Sequence, residues 1–256
     1  MKNISFFILF VISSSLHSQK YKIDYSLFAN EIIDIQVSSS LYFDTNFTTS
    51  YYVVNPGKTN LLSKRSDEDI TTYNLLKSKR IIINKYSSEN NSFLSLSKIG
   101  TKPFLVTDEL PTIEWSITNE SKYIKEYKCF KAIGFFRGRK WEAWFTMFFP
   151  INVGPSKFQG LPGLIIEMND ESGKFLMQLE RIASFNFNAE DLETAFLDQF
   201  SDSYKQVTLQ EFVNLEKEYF DSVVSETIGR DNVTKISTPR SGMELIYEWE
   251  EEVKKE

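Results

Sequence analysis

The sequence predicts a mainly β protein of the α+β class: a curved antiparallel sheet or half-barrel, closed on one side by a C-terminal helix. Three observations point there. Apolar and polar residues alternate with period two from Tyr21 to Leu179, and a helical period sets in only after Thr208. The 256 residues hold 22 Phe and 12 Tyr against 10 Gly, a balance that suits a packed, pleated core better than a disordered chain. The single cysteine, Cys129, permits no intramolecular disulfide, so stability has to come from that core. The length suits one domain over residues 19–256.

The elements follow in order. Tyr21, Ile23, Tyr25 and Leu27 alternate with Lys22, Asp24 and Ser26 as a first strand. Leu41–Phe43 and Tyr51–Val54 come next, and Asn55-Pro56-Gly57 is expected to end the second in a turn. Residues 57–79 are polar and charged and read as a long loop with room for one short helix. Ile81 and Ile83 resume a strand, Asn90-Asn91-Ser92 breaks it, and Phe93, Leu94 and Leu96 continue the next. Ile113, Trp115 and Ile117 share one face. Tyr127–Phe136 and Trp141–Phe149 form a hairpin across Arg137-Gly138-Arg139, with Gly138 able to take φ > 0. Leu164, Ile166 and Met168 form a further core row, and Asp170–Gly173 turns the chain into Phe175, Met177 and Leu179. Thr208-Leu209-Gln210-Glu211 is a capping-box pattern. It opens a helix of about 208–228, with Phe212, Leu215, Tyr219 and Val223 at helical spacing and Gly229 as its stop. The charged tail from Glu248 to Glu256 is expected to be frayed or solvated.

The N-terminus carries an address. Lys2 precedes the apolar run Ile4–Ile12, and Ser13-Ser14-Ser15 follows, the layout of a secretory signal peptide over residues 1–18. The run is shorter than the roughly 20 residues a membrane helix needs, and no later segment is long and apolar enough for a span. Removal of residues 1–18 takes away Lys2 and moves the formal charge from −6 to −7. It also removes His17, the one histidine. The mature chain then has no Ser-His-Asp triad, no Cys-His pair and no histidine-ligated zinc. No metal or other cofactor is expected, and the acidic balance argues against nucleic acid as a partner.

Residues Gly160-Leu161-Pro162-Gly163-Leu164-Ile165 form a compact signature. Together with Trp115-Ser116-Ile117, Glu120, Tyr127-Lys128-Cys129, Lys131-Ala132, Gly138-Arg139, Trp141, Ala143-Trp144-Phe145 and Gly154-Pro155, it resembles the GLPGLI family, most strongly over residues 112–168. Phe145 stands where that family often has Tyr. The resemblance implies an exported envelope protein of Gram-negative bacteria, in the periplasm or associated with the outer membrane, and implies no particular activity. The expected sheet-plus-helix architecture also looks like the half-barrel of periplasmic lipoprotein carriers, an analogy of fold alone. Physically the signature reads as a type II turn, with Pro162 setting φ at the first central position and Gly163 supplying φ > 0 at the second. A second reading makes the loop the mouth of a ligand site with backbone N–H groups turned to an anion.

Four side chains are candidates for binding: Arg139, Trp144, Phe148 and Lys157. Arg137, Arg139, Lys140 and Lys157 lie close to the aromatic strand, where an arginine beside a tryptophan can hold a carboxylate or phosphate, or else form an ordinary solvated hairpin tip. On the strand Trp141–Phe149 the odd positions are all apolar, whereas the even positions are Glu142, Trp144, Thr146 and Phe148. The two even aromatics need cover, either from the C-terminal helix or from a ligand. Cys129 reads as a small buried hydrophobe or a reactive thiol. Glu114, Glu120, Glu142, Glu167 and Asp170 are carboxylates on which hydrolysis would depend, which needs two of them converging in a cleft. No catalytic residue is assigned. The expected role is non-enzymatic binding of an apolar or amphipathic ligand such as a lipid, or of a protein segment. The alternatives are an accessory protein docked on an outer-membrane assembly through an open strand edge, and a carboxylate-dependent hydrolase of envelope polymers.

Overall fold

The computed structural model describes residues 19–30, 34–44, 48–61, 82–184, 187–198, 204–231, 240 and 242–253. The leader-like residues 1–18 and most of the polar stretch 57–79 lie outside this set. Twelve strands form one large, open, curved sheet. In chain order they are β1 (Lys20–Asn30), β2 (Asp34–Asp44), β3 (Thr49–Leu61), β4 (Ile82–Ser87), β5 (Ser92–Ile99), β6 (Lys102–Glu109), β7 (Ser116–Ile124), β8 (Tyr127–Phe136), β9 (Arg139–Thr146), β10 (Leu164–Asp170), β11 (Phe175–Ser184) and β12 (Lys205–Thr208). Helices α1 (Ala189–Leu197), α2 (Leu209–Asp231) and α3 (Glu248–Val253) complete the described elements. Across the sheet the order is β12-β6-β5-β4-β3-β2-β1-β11-β10-β9-β8-β7. Two antiparallel meanders, β1–β6 and β7–β11, are therefore sewn together where β11 pairs with β1. Among the described strands only β12 pairs in parallel, with β6.

Several elements depart from local expectation. Asn55-Pro56-Gly57 does not end β3. The strand runs on to Leu61, and its register with β2 jumps between Ser38↔Asn55 and Gln36↔Asn60, so the extra residues are taken up as a bulge, where a proline without an N–H is tolerated. The return strand of the central hairpin stops at Thr146, so Met147, Phe148 and Phe149 leave the ladder. Ile117 does not share the burial of Ile113 but is exposed. Within the charged tail, Glu248–Val253 forms the short helix α3. Ahead of α2, Thr208 Oγ1 accepts from the Glu211 N–H at 3.2 Å, while Glu211 accepts from the Thr208 N–H at 2.8 Å, a reciprocal cap at the end of β12.

Buried clusters lie along the sheet. Trp141, Ala143, Phe145, Met168 and Met177 pack with Phe158 and Leu161 from the β9–β10 connection. Ile23, Tyr25, Leu41 and Phe43 join Leu164, Ile166 and Leu179 in a second cluster. Phe196 of α1 packs on Tyr51, Ile83 and Leu105. Phe212 of α2 packs with Phe104, Val106 and Val207. Each such side chain contributes about 1.5–3 kcal/mol when withdrawn from water.

Candidate functional site

The hairpin tip Arg137-Gly138-Arg139 is not solvated. The Arg137 side chain is 1% exposed. Its Nη1 and Nη2 donate to Asp108 of β6 at 2.8 and 2.7 Å, and Nη1 and Nε donate further to Glu244 and Glu248 at 3.1 and 3.0 Å. Lys157 Nζ reaches the same Asp108 and Glu244 at 2.8 and 2.7 Å. The C-terminal segment is thereby strapped over the tip, with the Leu245 and Ile246 N–H groups donating to the Arg137 carbonyl. Burial alone would raise the Asp108 pKa, but hydrogen bonds from Arg137 and the charge of Lys157 outweigh it and hold the carboxyl below its ordinary value. Arg139 donates to Asp170 at 3.0 Å and, through Nε and Nη2, to the Gly242 carbonyl at 3.0 and 2.7 Å. Of the four expected binding residues, Arg139 and Lys157 thus have donors engaged inside the chain, because a buried cation is retained only when carboxylates answer it.

Trp144 and Phe148 are also separated. Trp144 is 7% exposed and belongs to the second buried cluster with Cys129, Leu164 and Ile166; over its ring lie lysines and not a helix, with Lys122 Nζ 4.1 Å and Lys131 Nζ 5.8 Å from the ring centre, and Nε1 donates to Glu142. α2 packs instead on β5, β6 and β12. Phe148, beyond the end of β9, is 73% exposed and rests against Tyr127 and Phe149. Cys129 is buried, and burial raises its thiol pKa, so it resides as an inert hydrophobe. Four of the five candidate carboxylates are held by cations, Glu120 and Glu142 by Lys131, Glu167 by Lys122 and Asp170 by Arg139, and Glu114 is exposed.

The signature loop is built by packing, with a different glycine logic from the one expected. Gly160, at φ +93°, is the residue that needs the left-handed region; Gly163 does not. A Cβ on Gly163 would stand 2.2 Å from the Thr146 carbonyl oxygen, and one on Gly154 would stand 2.6 Å from Ile165 Cδ1. Trp115 Nε1 donates to the Gln159 carbonyl at 2.8 Å, and Leu161 is buried. Close backbone approach, and not a type II turn at Gly163, explains the run.

The helix does form the wall of a cleft, at the far end of the sheet. Because α2 starts directly after β12, it folds back over β6 and the β5–β6 turn. Gly100 in that turn has φ +58°, and a Cβ there would lie 3.2 Å from the Tyr219 hydroxyl, so the glycine admits the helix. Phe104 and Phe212 meet edge to face, 5.6 Å between centres. Between these elements is an open cleft of about 490 Å³ lined by Thr101, Lys102, Pro103, Phe104, Lys205 and Leu215. Lys102 and Lys205 are exposed at its rim, and among the described residues neither has an ion-pair partner. Tyr219 and Val223, each 42% exposed, continue the Leu215 stripe outward along the helix. The capping box and the apolar spacing of α2 foretold the helix but not its place, which was expected over Trp144 and Phe148; the cleft's lysines, one on β6 and one on β12, were missed because neither strand was foreseen.

Residues 136–167 match the family described as a protein of unknown function (Porph_ging), a stretch that contains the Gly160–Ile165 signature. Among solved structures the chain is similar to PNGF-II, with 16% identity and a TM-score of 0.51, over 78% of this chain and 33% of that one. This chain therefore spans about a third of the length of PNGF-II, and the likeness is one of fold. An uncharacterized conserved protein from Thermus thermophilus aligns at 11% identity over 75% of this chain and 91% of its own, TM-score 0.39. A LolA superfamily protein from Nitrosomonas europaea aligns at 8% identity over 68% and 89%, TM-score 0.29. No curated protein matches the chain.

Proposed function

We propose that this chain is a non-enzymatic binding protein of the GLPGLI type, exported to the cell envelope, and that it holds an amphipathic molecule with an apolar chain and an anionic head in the cleft between α2, β6 and β12. The observation that carries the reading is the pairing of an apolar floor, Phe104, Pro103 and Leu215, with Lys102 and Lys205 at its rim. An acyl chain would lie on the floor and along Tyr219 and Val223, and a carboxylate or phosphate would meet the two ammonium groups. Export rests on the order of charge, apolar run and small residues at the N-terminus.

The other two readings fare less well. Docking by strand addition would use β7, which among the described residues pairs only with β8. Its register breaks between Ile117 and Ser121, and Lys122 and Lys125 follow the break, features that blunt an edge. Hydrolysis would need two carboxylates free in one cleft, whereas Glu120 and Glu142 share Lys131, Glu167 is held by Lys122 and Asp170 by Arg139.

The test is fluorescence titration with 11-(dansylamino)undecanoic acid and with its methyl ester. The acid should bind saturably and about tenfold tighter than the ester, and Lys102→Glu/Lys205→Glu should remove that preference. Equal affinity for acid and ester, or no saturation by either, overturns the assignment.

A further inference from the structure

A second concavity lies on the sheet itself, away from the cleft. It has a volume of about 290 Å³, just under the range of ordinary ligand sites, which runs from about 300 to 1,000 Å³. Its floor is built by register. Arg181 pairs with Asp24 and Asp24 with Ser40 in one row; Gln178 pairs with Ser26, Ser26 with Ser38 and Ser38 with Asn55 in the next. Directly paired residues share a face, so these side chains present one surface. Asp24 is the centre: it accepts from Ser40 Oγ at 2.6 Å and from Arg181 Nη2 at 3.0 Å, and pairs with Lys22 at 3.0 Å.

Two features select the chemistry of a ligand. The charges lining the concavity cancel, with Lys22 and Arg181 against Asp24 and Glu180, so no net field draws in an ion of either sign. The remaining polar groups are hydroxyls and an amide, with Tyr42 and Val53 as apolar wall. The Asp24 oxygens are met by Ser40, Lys22 and Arg181, and the cluster leaves to a ligand the remaining N–H groups of the Arg181 guanidinium as donors and the Ser38 and Ser40 hydroxyl oxygens as acceptors. Neighbouring hydroxyls on a sugar ring, each both donor and acceptor, match that set, and the ring's C–H face suits the apolar wall. We propose that this concavity is a binding site for a neutral, hydroxyl-rich ligand, a sugar ring of an oligosaccharide. The polar row continues through Gln178 to Glu167, which pairs with it across β10 and β11. Strands lie about 4.8 Å apart, so the five positions from Asn55 to Glu167 extend about 19 Å, which favours an oligomer over a single ring. Mounting on paired strands holds these groups in place before a ligand arrives.

Saturation-transfer NMR on the full mature chain tests this, with maltotetraose, cellotetraose, mannotetraose and chitotetraose as neutral probes and tetragalacturonate as the acidic one. At least one neutral tetramer should bind and should exceed its own monosaccharide in affinity. Asp24→Asn and, separately, the milder Ser38→Val should each weaken it by about tenfold. Lys102→Glu/Lys205→Glu should leave it unchanged, which separates this site from the acyl cleft. The proposal is overturned if no neutral tetramer binds, if both variants bind as the parent does, or if tetragalacturonate binds as well as the neutral tetramers.

Discussion

The tip of the β8–β9 hairpin and the cleft beneath α2 treat positive charge in opposite ways. At the tip, Arg137, Arg139 and Lys157 are drawn inside and answered by Asp108, Asp170, Glu244 and a backbone carbonyl. At the cleft, Lys102 and Lys205 stand in solvent beside the half-buried Pro103 and Leu215. The first arrangement consumes its hydrogen-bonding capacity in architecture. The second leaves capacity for a partner. A cluster of basic residues in a sequence therefore says little about binding until the carboxylates that neutralise it are located.

The contrast can be broken most severely at the tip. Arg137→Ala leaves Asp108 buried with Lys157 as its remaining cation, and should cost about 3–5 kcal/mol of stability in urea unfolding. A loss under about 1 kcal/mol would mean that the strap is decorative. Next in size, Gly163→Ala forces a methyl group onto the Thr146 carbonyl and should cost about 1–3 kcal/mol, read as a lower thermal midpoint. An unchanged midpoint with lost ligand binding would move the signature loop from packing to function. Acid should loosen the tip more gradually. Asp108 is held below its ordinary 3.8, so its contribution is complete above that value and is lost as the pH falls through the lower folded value. Stability of the parent should decline below about pH 4, and Asp108→Asn should flatten that decline. Smallest of all, Lys102→Glu/Lys205→Glu should shift stability by no more than about 0.5 kcal/mol while abolishing the acid-over-ester preference. A large destabilisation there would show that the two ends of the molecule are alike.

Local pattern was a good guide wherever contacts are local. Tyr127–Phe136 is a strand with those bounds, and the capping box at Thr208 and Glu211 forms. Helix α1 was legible too and passed over: Asn188 caps it through Glu190 N–H, and Glu190 and Asp191 fill its first turn. The rest was not local. Arg137 lies 29 residues from Asp108 and 107 from Glu244, and nothing in either neighbourhood names the other. The four-residue β12 owes its existence to parallel pairing with β6, and so does the cleft that follows from it. Trp144 was rightly seen to need cover, but alternation along one strand does not reveal that lysines on β7 and β8 would supply it.

The two ends of the sheet bear on how copies of this chain behave when crowded. Filaments grow when each added molecule offers a fresh, long, straight edge to the next. Here one terminal strand has four residues, and the other is interrupted in its first half and carries a lysine, Lys122, beyond the interruption. A template that short at one end and that broken at the other is a poor seed for cross-β propagation. Twelve paired strands can then be concentrated in a confined space with little tendency to knit into fibres.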